Sequence, residues 1–189
     1  MANETMKYRR TSSDVQVGTA GTGVTVVEKA SGVFHVTEIT IPSQTLITYA
    51  GGAALAGGKL LYTLPAGTVN LIHSAINVTI IGSAEQVAKT PEVALGTVIG
   101  SGAIATLGAS VATMEDILGP FVAVAIAANG SGGVPKKSGV SGTTGNSTAG
   151  MLFVGTDTRT VHLNIADTWA AGAGSATVSG TVWLTWIAL

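Results

Sequence analysis

The apolar residues of this chain arrive in short runs of Val, Ile, Leu and Thr closed by glycine, and long helical periodicity is missing. Such runs predict a many-stranded antiparallel protein, because β-branched side chains pack well on a pleated surface and glycine punctuates turns. Candidate strands are Val24–Glu28, Val33–Ile41, Lys59–Leu64, Val69–Ile81, Glu92–Ile99, Ala103–Leu107, Phe121–Ala127, Met151–Gly155, Thr160–Ala166 and Ala176–Ile187. Val69–Ile81 alternates in its second half, with Ile76, Val78 and Ile80 on one face and Asn77 and Thr79 on the other. Leu64-Pro65-Ala66-Gly67 spaces proline and glycine for a tight turn. About eight to eleven strands in one domain predict an all-β antiparallel sandwich, for which the jelly roll is the commonest arrangement.

The predicted organisation is an extended N-terminal arm over residues 1–20 and one sandwich domain over residues 21–189. The arm is polar and carries the densest charge cluster, Lys7-Tyr8-Arg9-Arg10. Residues 129–149 (NGSGGVPKKSGVSGTTGNSTA) are rich in Gly and Ser and are expected to be a long exposed loop, with Lys136 and Lys137 as its charges. Thr113–Leu118, closed by Gly119-Pro120, predicts a turn or two of helix. Residues 93–112 are uncharged and long enough to cross a bilayer. Gly100-Ser101-Gly102 sits in their middle like a turn, and two short strands are the better reading.

Charge is scarce. Asp, Glu, Lys and Arg make up 10% of the residues, against about 25% in an ordinary soluble protein. A monomer of this size exposes roughly 8,300 Å², covered here by nine basic and ten acidic side chains. So thin a charge cover, with positive mean hydropathy, implies that partners or identical subunits bury part of the surface. A net charge of −1 supplies no field toward nucleic acid or an anionic membrane. Cysteine is absent, which removes disulfides, thiolate metal sites and a Cys nucleophile. The opening MANETMKYRR lacks the apolar core of a signal peptide, so export is not expected.

Catalytic patterns fail on spacing. There is no Gly-x-Gly-x-x-Gly, Gly57-Gly58-Lys59 lacks the rest of a phosphate loop, and no Gly-x-Ser-x-Gly elbow occurs. His35, His73 and His162 lie in separate predicted strands without metal-ligand spacing, and His35 and Glu38 fall on opposite faces of one strand. Glu115-Asp116 suits a helix start, while Asp157 and Asp167 read as turn residues. No enzyme, metal or cofactor is expected.

The last strand is unusual. In Val182-Trp183-Leu184-Thr185-Trp186-Ile187, one face shows Val182, Leu184 and Trp186, and the other shows Trp183 and Ile187. A strand with one wet face should alternate apolar with polar. Either its own chain covers both faces, or the outer one is a contact between subunits, with Trp183, Trp186 and Ile187 as candidates.

Three segments, LPAGTVNLIHSAINVTII (64–81), TPEVALGTVIGSGAIATLGASVATMEDIL (90–118) and VHLNIADTWAAGAGSATVSGTVWLTWIAL (161–189), resemble virion structural proteins of tailed bacteriophages. In character they are most similar to head decoration, or cement, proteins. The resemblance implies a jelly roll or related sandwich, commonly a homotrimer, bound to the major capsid protein on the outer capsid surface, with a terminal arm reaching a neighbour. On the charge balance, neither nucleic acid nor a membrane is an expected partner. Two competing expectations are a receptor- or sugar-binding module of a tail fibre, with Trp169 as its candidate aromatic, and a self-assembling jelly-roll coat protein.

Overall fold

The computed structural model describes residues 18–49, 54–82, 89–107, 112–122, 131–139, 151–155, 157, 159–167 and 174–189. Lys7, Tyr8, Arg9 and Arg10 of the expected arm, residues 140–150 and Trp169 lie outside them. The strands are β1 (Thr19–Ala20), β2 (Thr25–Ser31), β3 (Phe34–Tyr49), β4 (Ala56–Thr63), β5 (Val69–Gly82), β6 (Glu92–Gly96), β7 (Leu118–Val122), β8 (Ser131–Gly139), β9 (Met151–Phe153), β10 (Thr160–Ala166) and β11 (Gly174–Ala188).

They form two antiparallel sheets, β1-β4-β10-β6-β7 and β2-β3-β11-β5-β8, with β9 also paired to β5. Without β1, β2 and β9, eight strands remain. In chain order the first pairs with the eighth (β3 with β11), the second with the seventh (β4 with β10), the third with the sixth (β5 with β8) and the fourth with the fifth (β6 with β7). Folding one long antiparallel ladder across two sheets in this way is the jelly-roll topology. The expected sandwich and its jelly-roll order are therefore present.

The core lies between the sheets. Ile39 and Ile41 of β3, Ile76, Val78 and Ile80 of β5, and Val182, Leu184 and Trp186 of β11 face Leu61, Val93, Leu95, Val161, Leu163 and Ile165 of the other sheet. The alternation legible in β5 thus points its apolar face inward. β10 is buried along its whole recorded face pattern from Val161 to Ala166. Its second face is covered by the chain between β6 and β7, where Leu107, Met114 and Ile104 pack on Ala56, Ala94 and Ala166.

Five expectations need correction. Strand β3 does not stop at Ile41 but runs through Pro42 to Tyr49. Pro42 and Ser43 lie where the β3–β11 register shifts, opposite the interval from Val178 to Gly180. A bulge is where a strand tolerates a residue with no N–H. Gly180 on the β11 side has φ +141°, and a Cβ there would stand 2.3 Å from the Asn77 carbonyl oxygen.

Residues 131–139, expected within an exposed loop, form β8 on the edge of β5. Lys136 and Lys137 thus sit on a paired strand. Ladder bonds use backbone groups, so a Gly/Ser-rich segment pairs once an edge is offered. Pro135 again falls at a register shift, between the pairs Val78–Val134 and Ile76–Lys137.

Ala103–Leu107 is not a strand. Beyond β6 the chain leaves the sheet and crosses its outer side, where the Gly102 carbonyl accepts from Leu55 and Ala56 N–H. Thr113–Leu118 yields only a 3-10 turn at Ala112–Met114, and Leu118 already belongs to β7. Thr19–Ala20, expected within the arm, pairs with β4.

Candidate functional site

Two buried polar networks fix the layers of the sandwich. The first links the sheets. Glu28 points inward from β2 and is 2% exposed. Its Oε1 lies 2.8 Å from His35 Nδ1, and its Oε2 accepts from the Tyr62 hydroxyl at 2.5 Å. The Tyr62 oxygen in turn accepts the Gly18 N–H at 2.9 Å. Opposite a carboxylate the imidazole donates, so the proton sits on Nδ1. Burial, and then the bond to Glu28, push the Tyr62 phenol well above its usual range. It stays a neutral donor.

The His35 ring stacks on Trp186 with centroids 3.9 Å apart and planes within 6°. Trp186 Nε1 donates to Thr37 Oγ1 at 2.9 Å. Trp186, one of the candidate intersubunit residues, is therefore wholly buried in its own core. Its large ring completes the interior, and its one polar atom is satisfied there.

The second network pins the crossing chain onto the other sheet. Asn164 Oδ1 accepts the Gly100 N–H at 2.7 Å, and Nδ2 donates to the carbonyls of Met114 (2.7 Å) and Val98 (2.9 Å). Asp116 accepts from Thr97 N (2.8 Å) and Thr97 Oγ1 (2.7 Å), while Glu92 accepts from Leu107 N at 2.8 Å. Close approach is possible because Gly96 has no side chain, since a Cβ there would lie 2.2 Å from the Met114 carbonyl carbon. Asp116 thus ties a loop down and does not begin a helix.

Burial foremost raises the pKa of Asp116 above its ordinary 3.8. For Glu115, burial and then the charges of Glu92 and Asp116 raise it above 4.5. A raised carboxyl in the fold favours the protonated form, so its stabilising contribution is full below the unfolded value and is lost as pH rises through the folded one. His162 is shifted the other way: burial lowers it below 6.5. Its contribution is present above the unfolded value and is lost as pH falls through the folded one. Glu115→Gln is therefore expected to melt at a higher temperature than the native chain at pH 7, with the gap closing below pH 4. Melting curves at the two pH values check this, and an equal gap at both would contradict it.

Among the described residues, no group of three His, Asp or Glu side chains has the arrangement of a metal site. His73 lies in β5 opposite Thr185, while His35 and His162 serve separate sheets. Asp157 closes a turn by accepting the Val154 N–H.

The notable surface is the outer face of the six-stranded sheet. Antiparallel partners share a face, so the register gives its rows. Leu152, Asn70, Ile187, Phe34 and Ser31 form the first. His73, Thr185, Val36 and Lys29 form the second, and Ala75, Trp183, Glu38 and Val27 the third. Leu152 is 56% exposed, Val27 45%, Phe34 42% and Val36 37%. Trp183 Nε1 donates to Glu38 Oε2 at 3.1 Å, which holds that carboxylate on the face. Of the three candidate contact residues on β11, the structure puts Trp183 and Ile187 on this face and Trp186 behind it.

Sequence reasoning missed Glu28, Tyr62, Thr37 and Asn164. Apart from His35, seven residues from Glu28, their partners lie far along the chain. Comparison with protein-family models, curated proteins and solved structures gave no match.

Proposed function

We propose that this chain is a non-enzymatic structural subunit of a phage virion, a cement protein that binds the outer capsid surface and stabilises the shell. The observation that carries the reading is the exposed apolar face of the six-stranded sheet. Apolar patches of this kind on a charge-poor protein mark surfaces meant to be covered. The jelly roll is a frequent capsid architecture, and the three segments similar to phage virion proteins give the reading its specific form. Its partners would be the major capsid protein and further copies of itself.

The mechanism is linkage. A subunit that binds only the closed shell stabilises that state by mass action, and many weak identical contacts add by avidity. The arm residues Lys7, Tyr8, Arg9 and Arg10, which form the densest charge cluster of the sequence, are the candidates for holding the capsid. The test is the protein composition of purified virions. The chain is expected there in many copies, and its absence would overturn the reading.

A further inference from the structure

We infer that the outer face of the six-stranded sheet is covered by the same face of a second copy, related by a twofold axis lying between the two sheets. This rests on the assembly reading above and names the partner of that surface.

A face that binds itself must be complementary to itself under the symmetry operation. Among the described side chains of its three rows, Lys29 and Glu38 are the charges that lie on it, one of each sign. Neighbouring strands are about 4.8 Å apart and same-face residues about 6.8 Å apart along a strand. On that grid Lys29 and Glu38 are diagonal neighbours on β2 and β3. An axis along the line midway between them superposes Lys29 of one copy on Glu38 of the partner subunit, and the reverse.

The same line then passes beside Val36, between Thr185 and Ile187, and on toward Leu152. It therefore places Phe34 beside Trp183 of the partner subunit and Leu152 close to Leu152 of the partner subunit. One choice of axis thus pairs both charges and buries the exposed apolar side chains together. The strands of the two copies cross steeply, toward the orthogonal class of sheet packing. The bond from Trp183 holds the Glu38 carboxylate in place before association, which lowers the cost of ordering it.

The test uses the full chain and two exposed charge reversals. Native mass spectrometry and analytical ultracentrifugation of the unaltered protein should show a dimer. Lys29→Glu places two like-charged pairs across the axis, as does Glu38→Lys, and each variant alone should dimerise about tenfold more weakly or worse. Mixed in equal amounts, the two variants should form a heterodimer near the original affinity, because both crossings then join opposite charges. Phe34→Asp should be monomeric, with its β-sheet circular dichroism unchanged.

An unaltered chain that is monomeric or trimeric would overturn the inference, as would variants that fail to rescue each other. Monomers that are nevertheless present in virions would overturn the twofold and leave the cement reading standing. A dimer absent from virions would do the reverse.

Discussion

Trp186→Ala is expected to lose about 3–5 kcal/mol of stability, the usual cost of deleting a large buried aromatic. At this chain length that lowers the melting temperature by roughly 6–20 °C. The ring is fully buried at the end of the central strand β11, where it stacks on His35 and donates to Thr37. Its removal leaves a cavity, strips the stack from His35 and orphans a buried hydroxyl acceptor. Trp183→Ala supplies the contrast. That side chain lies on the outer face, only partly buried, so its loss should cost the isolated fold about 1 kcal/mol or less. Thermal unfolding of the two variants side by side checks the assignment. Equal losses would contradict the inside–outside placement of the two tryptophans.

Asn164→Ala is the second large effect. Three backbone groups depend on that one amide, and Asn164 itself is wholly buried. Each buried partner left unpaired costs about 1–3 kcal/mol. Val98 lies in an exposed part of the crossing chain and water can reach its carbonyl. A total of about 2–6 kcal/mol follows for the two groups that stay dry, the Gly100 N–H and the Met114 carbonyl. The loss should be local before it is global. Amide exchange should accelerate over residues 97–107 and 112–117, while the β3–β11 ladder keeps its protection. Uniform acceleration across both sheets would show that the crossing chain is not a separately held layer.

These effects explain which parts of the fold were readable in advance. β5 and β10 were legible because their edges coincide with glycine, proline or acidic turn residues, and because β5 alternates as a half-buried strand must. Parity divided β11 into two faces but did not tell which is inward: Trp186, a contact candidate from the sequence, is buried in the core. β8 was hidden because its pairing is a backbone property, and a Gly/Ser composition reads as a loop until an edge such as β5 is there to receive it. The continuation of β3 was hidden by Pro42, which ends a strand unless a bulge accommodates it.

Ala103–Leu107 failed for a different reason. Short apolar runs look alike whether they pair in a sheet or lie across one, and here Asn164, some sixty residues later in the chain, decides the matter. The proposed contact surface was half legible. A strand with tryptophan on both faces signals that one of them needs a cover, but only the register shows that Trp183 and Ile187 share theirs with Phe34, Val36 and Leu152.

The most direct test of the proposed cement role is titration of the purified full chain onto intact phage shells prepared without it, read by co-sedimentation and by the temperature at which the shells open. The account predicts saturable binding at a fixed number of copies per shell and a higher opening temperature at saturation. Shells that bind none of the chain, or that open at an unchanged temperature when saturated, would contradict it.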